Sequence, residues 1–342
     1  MVISREPDSS LLHHSTLAEL MRISGGHYTR LTELVNYLFT GSCPDETLVR
    51  ESQILQDLSY KKMQSAASTT LWVWRILYAD SCILASVILA KANTAHMSIG
   101  RLDQAIIIAG GGDESRLGLI LSLIQKINRC FLPPPTHHQK LLHNGNRLIP
   151  LQLRTACHQV PCISTNPSFI SFQNIHANNP FVLRGYARNW PALNHNPWNS
   201  IDYLLSVSGS SRLVPVEVGY DYRDEHWGQV LMDWEHFLYA LDDTTGISKA
   251  SKEGLYLAQH NLFRQFPLLR DDIAVPDYVY CSLTPEGFTG YKAPEDASGA
   301  ILNVWLGPKG ATSPAHFVSW KLSFQESGRL NLVIGSLLQS LQ

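Results

Sequence analysis

The chain has 342 residues, enough for two ordinary domains, and its 44% hydrophobic and 16% charged residues are typical of a globular protein with a buried core. Its 27 Lys and Arg residues against 29 Asp and Glu residues leave a formal charge of -2. This balance excludes the global basic field of proteins that bind nucleic acid or anionic membranes through charge, so neither is predicted as a direct partner.

The N-terminal sequence MVISREPDSSLLHHSTLAEL has acidic residues, a proline and polar runs where a secretory signal needs a basic start and an apolar block. We therefore expect an intracellular protein, located in the nucleus, the cytoplasm or both. The most apolar window, residues 71–90, is interrupted by Arg75 and Asp80. Each of these charges costs about 2.5–3.5 kcal/mol at a bilayer centre, so a buried helix is predicted rather than a membrane span.

From about residue 15 to residue 130, apolar residues recur at three- and four-residue spacing, which predicts an antiparallel array of helices. The triple glycine at 110–112 lacks the G-x-G-x-x-G spacing of a dinucleotide site, so a helix C-terminus is predicted there. The stretch FLPPPTHHQKLLHNGNRLIP is rich in proline and then polar. We place a helical domain at 1–130 and a Pro- and His-containing linker at 131–164.

After residue 150 short β-type runs alternate with turns, as in PFVLRGY, RLVPVEVGY and AILNVWLGP, while a few helices remain. This texture favours a small antiparallel barrel or sandwich. The predicted fold class is therefore α+β. The six cysteines never form a C-x-x-C pair, so reduced, structural thiols are expected: Cys43, Cys82, Cys130, Cys157, Cys162 and Cys281.

Four stretches occur in an order and spacing that carry a resemblance: NPFVLRGYARNWPAL, RLVPVEVGYDYRDEHWGQ, GLYLAQHNLFRQFPLL followed by DDIAVPDY, and LNVWLGPKGATSPAH. They resemble the JmjC-domain 2-oxoglutarate oxygenases, in the branch of JmjC-domain-containing protein 5 (lysine demethylase 8). The resemblance covers about residues 165–316, and a weaker one extends over the helical half. It implies a double-stranded β-helix, or cupin-like barrel, in which two histidines and a carboxylate bind Fe(II) beside 2-oxoglutarate.

Residue by residue, the resemblance makes His316 the first metal ligand of an H-x-D motif and assigns Tyr256 and Ser313 to the carboxylate of 2-oxoglutarate. Without it, Tyr256 is an ordinary strand aromatic and Ser313 a turn residue. Glu217 and Trp305 match substrate-side positions, where an acid and an aromatic wall suit an arginine or lysine side chain of a protein or peptide. Their alternative roles are a solvent-facing glutamate and a core tryptophan.

Other histidines of this half, His226 and His260, fall on no ligand position and are interpreted as structural. Val318 stands where the aspartate of H-x-D belongs, and residues 317–342 are unlike the family. We expect a truncated splice form or gene model, with a partial JmjC domain at 165–316 and doubtful binding of Fe(II) and 2-oxoglutarate. The tail stretch LNLVIGSLLQSL is expected to cover part of a sheet edge, either as a strand or as a short helix.

Three interpretations remain open at this point. The first is a JmjC-type hydroxylase or demethylase that is inactive as this chain, and the second is a non-catalytic protein-binding module with a degenerate barrel. The third, a helical-repeat interaction protein, lacks a fixed period between its helices. We also expect the helical region, about residues 15–130, to fold independently of the barrel, and the barrel strands to fold poorly alone because they need non-local partners.

Overall fold

The computed structural model describes residues 14–133, 160–176, 181–219, 225, 227–241, 249–280, 301–308, 322–325 and 330–335. By their contacts these residues form two compact units. The first contains the N-terminal helices together with Gly209–Val214 and Asp233–Glu235, and the second contains the remaining described residues of the C-terminal half. The linear domain limits given above stay a prediction.

The described residues of the N-terminal half form successive helices, as their apolar periodicity predicts: α1 (His14–Ile23), α2 (His27–Thr40), α3 (Asp45–Ser65), α4 (Ser68–Leu89), α5 (Ala95–Ala109) and α6 (Glu114–Phe131). Each helix packs against the next one along the chain. Helix α4 contributes to two apolar clusters, one shared with α1–α3 and one shared with α5 and α6. It is therefore the central helix of this unit.

Helix α4 is long and apolar enough, by length and composition, to cross a bilayer. However, 67% of its apolar window is buried inside the protein, and Leu77 and Cys82 are fully enclosed. Its polar residue Asp80 accepts hydrogen bonds from the Tyr28 hydroxyl and from the Arg116 guanidinium, both at 2.7 Å. These partners explain how a carboxylate is tolerated in an apolar helix, and the environment is that of a core helix.

The triple glycine forms the turn between α5 and α6, which confirms the predicted helix C-terminus. Gly110 ends α5 in the left-handed conformation, and Gly111 and Gly112 also have positive φ angles. A Cβ on Gly111 would lie 3.0 Å from the Cβ of Leu117, closer than real Cβ atoms normally approach. Asp113 then accepts a hydrogen bond from the backbone N–H of Arg116 and caps α6.

The described residues of the C-terminal half alternate short helices and strands. The helices are α7 (Phe169–Ser171), α8 (Ile201–Ser208), α9 (Trp234–Leu241), α10 (Lys249–Glu253) and α11 (Leu262–Gln265). The strands are β1 (Cys162–Ile163), β2 (Val182–Leu183), β3 (Leu213–Val218), β4 (Gly228–Asp233), β5 (Leu257–His260), β6 (Ile301–Leu306), β7 (Leu322–Gln325) and β8 (Leu330–Gly335). This mixture agrees with the α+β prediction.

The main sheet has the strand order β5–β6–β8–β7, and every neighbouring pair is antiparallel. Strand β3 pairs with β4 and is bridged to the residue before β5. Strand β8, from the tail that is unlike the family, pairs with all six residues of β6. The tail therefore forms a strand at this place, and β6 has a partner on both sides.

A buried carboxylate organises the loops beside this sheet. Asp272, which is 1% exposed, accepts hydrogen bonds from the side chains of Asn196, Trp198 and Tyr203. Burial and the bond to Asp272 raise the pKa of the Tyr203 hydroxyl, which keeps it protonated as a donor. The motif DDIAVPDY thus contributes a structural acid that links α8 and its preceding loop to the chain after α11.

Candidate substrate and co-substrate site

Glu217 and Tyr256 lie directly opposite each other on antiparallel backbone segments. The Glu217 N–H donates to the Tyr256 carbonyl oxygen at 2.7 Å, and the Tyr256 N–H donates to the Glu217 carbonyl oxygen at 2.9 Å. Residues paired in this way project their side chains to the same face of the sheet. Val214 and Val216 on the other face of β3 are fully buried, so β3 has a core face and a Glu217 face.

Trp305 projects to the same face as Glu217 and Tyr256. Leu257 of β5 is paired with Leu306 of β6, and these two side chains share the core face. Because successive strand residues alternate between faces, Tyr256 and Trp305 both project to the opposite side. Trp305 is only 7% exposed, whereas Glu217 and Tyr256 are half-buried. The strands therefore place three of the residues singled out from the sequence on one face.

The carboxyl group of Glu217 has an unusual environment for a strand glutamate. Burial raises its pKa above the ordinary value, and a hydrogen bond from the side chain of Trp227 partly offsets that effect. Because the indole N–H is a donor only, Trp227 stabilises the ionised form of the acid. The result is a partly desolvated carboxylate held beside an aromatic ring.

Trp227 is a site residue that the sequence reasoning missed, although it lies inside the quoted stretch RLVPVEVGYDYRDEHWGQ. It immediately precedes β4, and Gly219 allows its backbone to come close. Gly219 has a φ of 116°, and a Cβ there would lie 3.2 Å from the Trp227 Cα. The signal available in the sequence was an aromatic residue ten positions after an acid, beyond Gly219.

A β-bulge separates Tyr256 from His260. Leu257 pairs with Leu306 and His260 pairs with Val304, so three steps along β5 match two steps along β6. Gln259, within the bulge, has a φ of 52°. His260 consequently lies on the core side with Val304, where its Nε2 is 2.9 Å from the Oε1 of the fully buried Gln265. This position is away from the Glu217 face.

The metal side of the candidate site lies outside the described residues. His316, Val318 and Ser313 belong to this part of the chain, as does His226, so their assignments stay predictions. Within the described ranges, no group of three or more His, Cys, Asp or Glu side chains is arranged to hold a metal ion. The described residues provide a sheet face that carries Glu217, Tyr256 and Trp305, with Trp227 beside Glu217.

Comparison with known proteins identifies relatives of this half of the chain. Residues 169–318 match the cupin-like domain family. The chain is 37% identical over 173 residues to Jumonji C domain-containing protein 5 of Drosophila melanogaster, which covers 50% of this chain and 39% of the fly protein. It is 28% identical over 285 residues to lysine-specific demethylase 8 of Danio rerio, which covers 80% of this chain and 65% of the fish protein.

The C-terminal half is thus similar to JmjC-domain proteins, and it is called the JmjC half below. A plant relative, lysine-specific demethylase JMJ30 of Arabidopsis thaliana, is 27% identical over 297 residues, covering 78% of this chain and 63% of the plant protein. The alignments with the fish and plant proteins are long enough to include part of the helical half as well as the JmjC half. The chain spans 39% to 65% of the lengths of these three relatives.

Proposed function

We propose that the JmjC half of this chain binds a protein or peptide through an arginine or lysine side chain, and that the chain as it stands does not oxidise what it binds. The proposed framework is the double-stranded β-helix of JmjC hydroxylases and demethylases, of which the strands β3–β8 supply the substrate wall. In this first form the chain is an inactive version of a hydroxylase or demethylase. The alternative is a non-catalytic protein-binding module with a degenerate barrel. Both forms use the same face of the sheet.

This proposal rests on one observation. Glu217, Tyr256 and Trp305 lie on one face, and the Trp227 indole is hydrogen-bonded to Glu217. A carboxylate that has lost part of its water interacts more strongly with a cation than an exposed one does. Aromatic rings beside it attract the same cation through their electron-rich faces. An arginine or lysine side chain interacts favourably with both the carboxylate and the aromatic rings, whereas a neutral side chain gives the carboxylate no opposite charge.

The co-substrate assignments extend this face. Tyr256 would donate its hydroxyl hydrogen to a carboxylate of 2-oxoglutarate, with Ser313 as a second donor and His316 as a metal ligand. In the family, Fe(II) with 2-oxoglutarate supplies the oxidation of a C–H bond. Val318 fits this role poorly, because an apolar side chain stands where the hard carboxylate ligand belongs. Weak metal binding is the reason that we propose binding without oxidation.

A peptide-binding measurement tests the substrate side. The probe is an array of 15-residue peptides with a central arginine or lysine, each paired with a peptide carrying citrulline or acetyl-lysine at that position. We expect peptides that bind the wild-type chain to bind Glu217→Gln at least about tenfold more weakly, because one charge-assisted contact is lost. Glu225→Gln is the matched control, since Glu225 is an exposed acid near the same turn.

Equal binding of the neutral partner peptides, or unchanged binding by Glu217→Gln, would overturn the substrate assignment. Oxidation is tested separately by anaerobic titration with Fe(II) or Mn(II) and by 2-oxoglutarate turnover. We expect neither tight metal binding nor turnover, and little gain from Val318→Asp alone. Low-micromolar metal binding that disappears in His316→Ala would instead establish a working metal site in this chain.

A further inference from the structure

The most completely buried ion pair among the described residues joins two parts of the chain that are far apart in sequence. Asp103 of α5 is 0% exposed, and Arg212, just before β3, is 3% exposed. The Arg212 Nε lies 3.1 and 3.0 Å from the two carboxylate oxygens, and one terminal nitrogen lies 2.7 Å from Oδ1. The backbone N–H of Leu213 donates to Oδ2 at 2.8 Å.

A second contact fixes the same segment to α6. The Asn128 side-chain oxygen accepts a hydrogen bond from the backbone N–H of Ser210 at 3.1 Å. Gly209 has a φ of 80°, a conformation that favours glycine, and a Cβ there would lie 2.9 Å from the Asn128 side-chain nitrogen. Next to the ion pair, the Arg212 carbonyl oxygen accepts a hydrogen bond from the Trp234 N–H at 2.8 Å. These residues all belong to the helical unit.

We propose that α5 and α6 form an internal binding surface for residues 209–214, and that the helical array is therefore not an autonomous folding domain. A carboxylate at 0% exposure is costly to bury unless a charge and hydrogen bonds compensate it. For Asp103 the compensating groups include Arg212 and the Leu213 N–H, which come from the JmjC half. Without residues 209–214, the helices would contain Asp103 but neither Arg212 nor the Leu213 N–H to compensate its charge.

Cutting the folded 342-residue chain tests this proposal without any substitution in the contact. A recognition site for a sequence-specific protease is inserted between residues 134 and 159, the folded chain is cut, and the products are separated by size exclusion. We expect the two fragments to elute together at low urea, because the segment 209–214 stays bound to α5 and α6. A helical fragment that elutes alone with undiminished helical circular dichroism would overturn the proposal.

Substitutions identify the contact responsible. In the clipped chain, Asp103→Asn and Arg212→Met are expected to weaken fragment association by about a hundredfold, because each leaves a buried partner uncompensated. Their double variant is expected to lose much less than the sum of the two effects. Asp45→Asn is the matched control, because its ion pair with Lys91 is largely exposed and contributes little. Association of Asp103→Asn that equals that of Asp45→Asn would contradict the proposed surface.

Discussion

Glu217 is the residue whose chemistry departs most from what its strand requires. Its neighbours Val214 and Val216 fill the core face, and a polar residue on the other face would ordinarily be solvated. Instead the acid is half-buried beside Trp227, and burial raises its pKa. A group kept at a cost to the folded state is a reasonable candidate for function.

The raised pKa has a defined consequence for stability. Because the folded chain holds the Glu217 proton to a higher pH than the unfolded chain, stability falls as pH rises from the ordinary carboxyl value of 4.5 through the raised value. We expect Glu217→Gln to match the wild type in urea unfolding near pH 4 and to be more stable at pH 7, by at most about 1 kcal/mol given its partial exposure. Glu225→Gln should show no such trend, and a Glu217→Gln variant that is less stable at pH 7 would rule out the argument.

The sequence predicts some of these residues and misses others for a physical reason. Tyr256, Trp305 and Glu217 were found because they lie on motif positions of a resemblance. Trp227 was missed because its contact with Glu217 depends on the pairing of β3 with β4, and no periodicity in the sequence encodes that pairing. His260 was interpreted as structural, and its bond to Gln265 is a contact of that kind.

Among the secondary-structure elements, the helices were the most predictable. Their apolar spacing and the glycines that end α5 are local signals. Helix α4 packs as a core helix, as predicted from the two charged residues in its apolar window. The tail was ambiguous because LNLVIG is apolar except for Asn331, and a short apolar run suits a strand or a helix equally well. Pairing with β6 decides between the two, and that partner lies about 30 residues away in the sequence.

The start of α6 offers a test at this scale. Asp113 caps the helix through the Arg116 N–H at 2.8 Å and also forms an ion pair with the Arg116 side chain. Asp113→Ala is expected to lower the free energy of unfolding by about 1–2 kcal/mol. Asp113→Asn should retain most of that stability, since asparagine caps helices equally well. An equal loss in both variants, measured by urea unfolding, would assign the effect to the ion pair instead.

At the scale of the whole molecule, the sequence predicted two parts but could not predict their composition. A boundary was placed at the proline-rich stretch because linkers have that composition. That boundary stays a prediction, and the contacts add Gly209–Val214 and Asp233–Glu235 to the helical unit. The pair Asp103–Arg212 spans 109 residues, and neither residue stands out in the sequence, because complementary charges at such a separation leave no local pattern.

Cys82 reports whether the helical unit opens as a whole. Burial raises the pKa of its thiol to about 12, and its side chain is fully enclosed in the cluster shared by α4, α5 and α6. In a variant that keeps only this cysteine, thiol labelling at pH 8 is expected to be at least about a thousandfold slower than in one that keeps only the exposed Cys130. Labelling should accelerate in step with urea unfolding, and fast labelling without urea would indicate local opening of α4.

The bulge in β5 determines where this strand can lose a residue. One residue of the pair Ala258–Gln259 is surplus to the ladder, because both oppose Trp305 alone. Deleting Gln259 would leave Tyr256 and His260 with their present neighbours and remove a backbone conformation that side chains rarely adopt. Deleting Leu257 would give the same ladder but would place Ala258 at the buried position of Leu257, which is 0% exposed, and so leave a cavity in the core. One residue can therefore be lost between Tyr256 and His260 without moving either of them, and an alignment gap at this point does not change which residues face Glu217.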